Sequence, residues 1–432
     1  MIPARRLVML YVMTAHVSLA LAFALTAWNP HAVAGFFYHS WIVAIVHLVT
    51  IGWIAMSILG TIYVVLPMAF GLSFPARTAD YAAFALVVIG LIGMVAHFWI
   101  AEFGGLAWSA ATSACGVAYV AARLALRVRH AKVPGGVKLH IYFASANILA
   151  AVTMGVLLGF DKVYHFLPGY VLSNVFAHAH LAAVGWACMM VGGLGYRLLP
   201  MTIPAGTPSG RTIYISAILL EMGVVGLFVS LVMRSALALL SAIFIIAAFA
   251  TFVGRVIWML EHQQRAPHGR PRPDAALVHI GAAGVWLLFA CMCGLMLTAL
   301  PVSDVTLRLA LLYGTFGLVG FLAQIIVGFE QRILPIAAAY WGLKAATTPS
   351  ARVVSAALWL AGVPAIATGL FLDMPALLGA GAWLLFAATL LAGFETAAML
   401  APAPHVFSPS ACGIVPTPAA THAASPSKIQ RL

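Results

Sequence analysis

The sequence predicts an all-α integral membrane protein, with twelve transmembrane helices arranged as three four-helix arcs of pseudo-threefold symmetry about the membrane normal. Three observations predict it. Only 7% of the 432 residues are charged and 64% are hydrophobic. That is too little charge for a water-facing surface, which in soluble domains takes roughly 25%. The apolar residues form runs long enough to cross a bilayer, at about 20 residues per helix. A motif recurs in three of those runs at a long, nearly constant spacing.

Taken in order, the runs cover about 8–28, 38–66, 80–101, 103–127, 138–160, 169–200, 212–233, 236–259, 275–300, 305–335, 353–372 and 375–400. Mean hydropathy is +1.06, and none of the runs alternates as a barrel strand would. The first run comes after Arg5 and Arg6 without a small-residue cleavage site, so it reads as a retained helix rather than a removed signal. Residues 1–401 read as one transmembrane domain, with repeats at about 8–127, 138–259 and 275–400. Residues 402–432, rich in Pro, Ala, Ser and Thr, read as a disordered cytoplasmic tail.

The formal charge of +12 is distributed by side of the membrane. If the first helix leaves the cytoplasm, the outer loops hold only Lys162, Arg234 and Arg308. Arg5, Arg6, Arg77, Arg127, Arg129, Lys132, Lys138, Arg211, Arg265, Arg270, Arg272, Arg332, Lys344 and Arg352 fall on the other side. This positive-inside bias places both termini in the cytoplasm of a bacterial-type inner membrane, with lipid as the surrounding partner. A nucleic-acid partner would need one basic soluble face, which the pattern excludes. Four of the five cysteines lie inside runs, and none form Cys-x-x-Cys. They read as small buried residues rather than as zinc or attached-haem ligands.

The repeat decides the architecture. The second run contains His47-Leu-Val-Thr-Ile-Gly-Trp53, then Gly60, Tyr63 and Leu66-Pro67. The sixth contains His180-Leu-Ala-Ala-Val-Gly-Trp186, then Gly193, Tyr196 and Leu199-Pro200. The tenth contains Thr315-Phe-Gly-Leu-Val-Gly-Phe321, then Gly328, Gln331 and Leu334-Pro335. Trp53, Trp186 and Phe321 are separated by 133 and 135 residues. His140 with Gly155 and His279 with Gly294 repeat the pattern in the fifth and ninth runs. Four helices per unit make successive units parallel, related by an axis along the membrane normal. The glycines are explained by close helix packing, and the Leu-Pro pairs are expected to end each helix.

Packing does not explain the histidines. Intramembrane polar residues are costly and point to function. His39, His47, His97, His178 and His180 all fall in the outer half of the bilayer and form the candidate metal-binding layer. Imidazole is a common metal and haem ligand. His47 and His180 occupy equivalent repeat positions, which suits one ligand from each of two helices. His178 lies about 200° around the helix from His180, so it faces a different cleft. Glu221, in the seventh run, is a proton-relay candidate or a hydrogen-bond partner for a neighbouring helix. Glu330, Gln331 and Arg332 read as a surface group closing the tenth helix. His140 and His279 read as structural.

Three four-helix arcs are the architecture of subunit I of the haem–copper oxidases and nitric oxide reductases. The segment Ala177-His178-Ala179-His180-Leu-Ala-Ala-Val-Gly-Trp186 resembles the His-x-His helix of that superfamily, especially its C-type oxidases. The resemblance implies His178 as the high-spin haem ligand, His180 as the low-spin ligand and His47 as the opposite axial ligand. This sequence departs from the family in carrying the pair in the second arc rather than the third. Thr315 stands at the third-arc position, the seventh run lacks histidine, and no His-His pair occurs. The expected cofactors are therefore one haem b or two, with copper doubtful. The expected function is a haem-binding redox protein without a complete haem–copper centre, handling nitric oxide or oxygen, and an oxidoreductase if catalytic. Its electrons would come from a donor or partner subunit. A transporter or metal-handling protein is one alternative. A non-catalytic sensor or assembly factor on the oxidase scaffold is the other.

Overall fold

The computed structural model describes residues 4–202, 210–262, 274–343 and 348–401, all of them helix or connecting turn, with no strand among them. The 402–432 tail, Cys412, and the basic residues Arg265, Arg270, Arg272 and Lys344 lie outside the described residues. Among the described residues, twelve helices are long and apolar enough to cross a membrane. They are α1 (Arg5–Trp28), α2 (Ser40–Ala69), α3 (Thr78–Trp99), α4 (Leu106–Val128), α5 (Gly135–Tyr164) and α6 (Val171–Pro200). Next in the chain come α7 (Gly210–Met233), α8 (Ala238–Glu261), α9 (Ala275–Ala299), α10 (Asp304–Tyr340), α11 (Pro349–Phe371) and α12 (Pro375–Leu400).

Local chemistry sets the ends. Ser303 caps α10 by accepting from Thr306 N at 3.3 Å, and the Thr306 hydroxyl accepts from Ser303 N at 2.7 Å. Asp274 caps α9 by accepting from Leu277 N. Helices α11 and α12 begin on Pro349 and Pro375, where the missing N–H costs nothing. The Leu-Pro expectation fails at α10, which runs through Pro335 to Tyr340. Pro335 cannot donate to the carbonyl of Gln331, and Arg352 of α11 donates to it instead, at 3.2 Å.

The repeated motif has a conformation of its own. Leu48–Ala55, Leu181–Cys188 and Thr315–Ala323 are π-helical, each set within an otherwise α-helical span. Each of these segments touches the other two in the interior. The motif glycines let the first helix of each unit close on them. A Cβ on Gly52 would meet Ser18 at 2.5 Å, on Gly185 Asn147 at 2.8 Å, and on Gly320 Trp286 at 2.7 Å. Gly60, Gly193 and Gly328 meet Tyr11, His140 and Ile280 in the same way. Small residues are how membrane helices gain packing without a hydrophobic drive between them. Around this interior, α3–α4, α4–α5, α7–α8, α8–α9 and α11–α12 pack as neighbours, and α12 returns to α1. Ile89, Ile92, Leu288 and Phe394 stand exposed on outer faces, as lipid contact requires.

Candidate functional site

The π segment of α2 begins directly after His47, and that of α6 directly after His180. Such i→i+5 insertions concentrate at functional sites. Each candidate ring is fixed by one nitrogen. His47 Nδ1–H donates to Val43 O at 2.7 Å, His180 Nδ1–H to Phe176 O at 2.7 Å, and His178 Nδ1–H to Ala151 O of α5 at 2.9 Å. A carbonyl can only accept, so the proton sits on Nδ1 and Nε2 carries the lone pair a metal needs. The Nε2 atoms of His47 and His178 make no hydrogen bond among the described residues. His180 Nε2 lies 3.0 Å from the Tyr313 hydroxyl of α10, with the two rings stacked.

The two members of the His-x-His pair thus face different neighbours. His178 turns toward α5, where Gly155 leaves room: a Cβ there would come within 3.0 Å of the ring. His47 and His178 are close enough to act on each other electrostatically, and Phe98 of α3 stacks on His47 at 5.1 Å. His180 turns toward α10. Tyr313 precedes Thr315 by two residues, as His178 precedes His180, so aligning the repeats would have found it.

The other two expected metal residues are drawn away. His39 is exposed and caps α2, its Nδ1 accepting from Trp41 N at 3.3 Å. His97 Nδ1 lies 2.8 Å from Glu102 Oε2 in the α3–α4 loop. Among the described residues, no three His, Cys, Asp or Glu side chains gather as a metal group. Glu221 Oε2 accepts from Asn147 Nδ2 at 2.7 Å, and the same amide donates to Gly185 O at 3.0 Å, bracing the second π segment. His140 bonds Gly136 O and lies 3.3 Å from the Ser216 hydroxyl. His279 is fully buried beside Gln324, which also accepts from Trp286 Nε1 at 3.0 Å. Gln324 bridges α9 and α10, and no repeat position announced it.

The Glu102 carboxyl is held below the usual carboxylate range, first by the Gly104 N–H at 2.7 Å, with the Gly105 N–H and His97 adding to it. A carboxylate lowered on folding stabilises the fold above its unfolded value, and that contribution is lost as pH falls through the folded value. Amide exchange at Gly104 and Gly105, corrected for intrinsic rates, is expected to accelerate as pH drops below the carboxylate range. Glu102→Gln should flatten that profile, and a flat profile in the wild type would refute the brace.

Twelve apolar spans closed around an interior of three π segments define a multi-pass membrane protein. Its fold is oxidase-like. It matches a cryo-EM structure of a haem–copper terminal oxidase dimer with a TM-score of 0.62 and 11% identity, over 91% of this chain and 83% of that one. At this identity the likeness is one of fold. No protein-family model and no curated protein matches the sequence.

Proposed function

We propose that the chain is a haem-binding redox membrane protein, with a haem b held between α2 and α6. One observation carries the reading: two imidazoles from facing helices, His47 and His178, each have Nδ1 tied to a carbonyl and Nε2 open. This donor set fits haem, whose axial ligands are neutral imidazoles oriented through the second ring nitrogen. The resemblance pairs His47 with His180 and leaves His178 to a second, gas-binding haem. The open Nε2 of His178 and its proximity to His47 favour His178 in the first role. His180, engaged by Tyr313, then belongs to the neighbouring cleft. A bound haem would supply one-electron chemistry there, and nitric oxide or oxygen would be handled at a second centre in the neighbouring cleft.

The protein contributes orientation of the rings and a dry setting for them. Asn147 holds Glu221, the proton-relay candidate, beside the π segment that begins after His180. Electrons arrive from a donor or partner subunit, and both termini lie on the cytoplasmic side of a bacterial-type inner membrane. The three-arc arrangement would place the motif helices equivalently around the membrane normal. A second reading, a sensor or assembly factor on the oxidase scaffold, rests on Thr315 standing at the repeat position that His47 and His180 hold in the other two units.

Visible spectra of the purified protein, oxidised and dithionite-reduced, test the proposal. A reduced b-type spectrum is the expected result. A folded preparation with no Soret band would overturn it. Turnover with nitric oxide or oxygen separates the redox reading from the sensor.

A further inference from the structure

The sequence places Glu330 and Gln331 at the surface end of the tenth span, and both are instead buried, at 7% and 8% exposure. Glu330 Oε2 lies 3.7 Å from Nε2 of His16, which is itself 4% exposed in the middle of α1. His16 Nδ1–H donates to Val12 O at 3.0 Å, so a neutral His16 turns its Nε2 lone pair toward the carboxyl. Two acceptors facing each other in an apolar interior are costly unless a proton lies between them. At 3.7 Å, a small side-chain rotation or one bridging water completes the contact.

The carboxyl's other face is open. The Glu330 carboxyl and the Ser57 hydroxyl are near enough to influence each other, but neither Glu330 Oε1 nor that hydroxyl has a hydrogen-bond partner of full geometry among the described residues. Both residues line a cavity of about 50 Å³ between α1, α2, α6 and α10, whose third polar side chain is Thr61 and whose other walls, Val12, Leu194 and Phe329 among them, are apolar. A water needs roughly 10–15 Å³ of such volume, so there is room for a short file. Of the ionisable groups on the surrounding helices, Arg6 is exposed at the start of α1 and the Tyr11 hydroxyl has no hydrogen-bond partner among the described residues, its ring stacking on Tyr63. Asp80 pairs with Arg123, and Arg332 pairs with Asp274. Arg352 pairs with Glu395, Arg197 donates to Ala69 O, and Arg5 donates to Leu400 O. Among the described residues no fixed counter-charge is left for Glu330, and the imidazole is its acid–base partner.

We propose that Glu330 and His16 form an internal proton-binding site, which holds one proton between carboxyl and imidazole and exchanges it with water in the adjoining cavity. The exchange is a transfer from hydronium to the pair and back, with no electrons moved. The site does not depend on the haem reading, because its signal is read whether or not haem binds.

Infrared spectroscopy of the full-length protein in lipid vesicles tests it. The wild type should show a protonated-carboxyl C=O band that shifts on transfer to D2O. Glu330→Gln should remove the band and Glu330→Asp should move it, with the helical amide band unchanged in both. His16→Phe should shift the band by removing its hydrogen-bond partner. Thr61→Phe, which fills the cavity, should slow the deuterium shift at least tenfold. A carboxyl band that survives Glu330→Gln in folded protein would overturn the site. An exchange rate unaffected by Thr61→Phe would overturn the cavity route.

Discussion

The double substitution His47→Ala/His178→Ala is expected to lower haem content per chain at least tenfold, and each single substitution to abolish the low-spin spectrum. A low-spin b-type haem needs two strong-field nitrogen ligands, one from each side. If haem is held as proposed, removing one imidazole would leave the iron one strong-field ligand short and high-spin, and removing both would leave only apolar contact with the ring. Pyridine haemochrome content and the reduced spectrum of purified variants measure these outcomes. His180→Ala carries the discrimination. If His178 is the partner of His47, His180→Ala keeps the low-spin bands and shifts them slightly, since it loses its contact with Tyr313. Loss of the low-spin bands in His180→Ala, with retention in His178→Ala, would restore the pairing that the family resemblance implies.

The second large effect is on stability. Asp80, fully buried near the start of α3, accepts from Tyr63 OH at 2.8 Å, from Arg77 N at 2.6 Å and from the Arg123 guanidinium. Arg123 donates onward to Pro75 O at 2.7 Å and lies 4.1 Å from the centre of the Phe74 ring. The carboxylate therefore ties α2, α3, α4 and the α2–α3 connection at one point. Asp80→Ala strands a buried guanidinium and a tyrosine hydroxyl. Removing one member of such a pair costs about 3–5 kcal/mol. Unfolding of the detergent-solubilised protein should report that loss, and Asp80→Ala/Arg123→Met should recover part of it by removing the orphaned charge. A loss below about 1 kcal/mol would place the pair among the weakly coupled surface contacts.

The twelve spans were legible because lipid demands about 20 apolar residues for each crossing. The structure moves their ends by a few residues, most at α10, which reaches Tyr340 rather than 335. That difference came from a partner far along the chain: Arg352 takes the carbonyl that Pro335 leaves free. The burial of Glu330 and Gln331 comes with the same extension and was hidden for the same reason. The repeat revealed which stretches were equivalent but not that they are π-helical. In a stretch such as Leu48–Ala55, nearly every residue is apolar, so no periodicity distinguishes 3.6 residues per turn from a wider helix. The histidines were legible as a layer because polarity is rare in such spans. Which way each ring points was not legible, because it is set by carbonyls such as Ala151 O on another helix. His39 and His97 belong to that depth by sequence, and their short-range partners Trp41 and Glu102 decide against convergence.

The π segments have a consequence for how the two halves of a motif helix relate. Each inserted residue offsets the angular phase of the later turns by about 100°. On α2, the half before the segment aims His47 by one azimuth, and the half after it aims Ser57 and Thr61 at the interior cavity by another. A single rod would have to satisfy both orientations with one rotation about its axis. With a phase step in the middle, each half is set by its own neighbours. The outer chemistry and the inner chamber can then diverge in sequence independently while sharing one backbone.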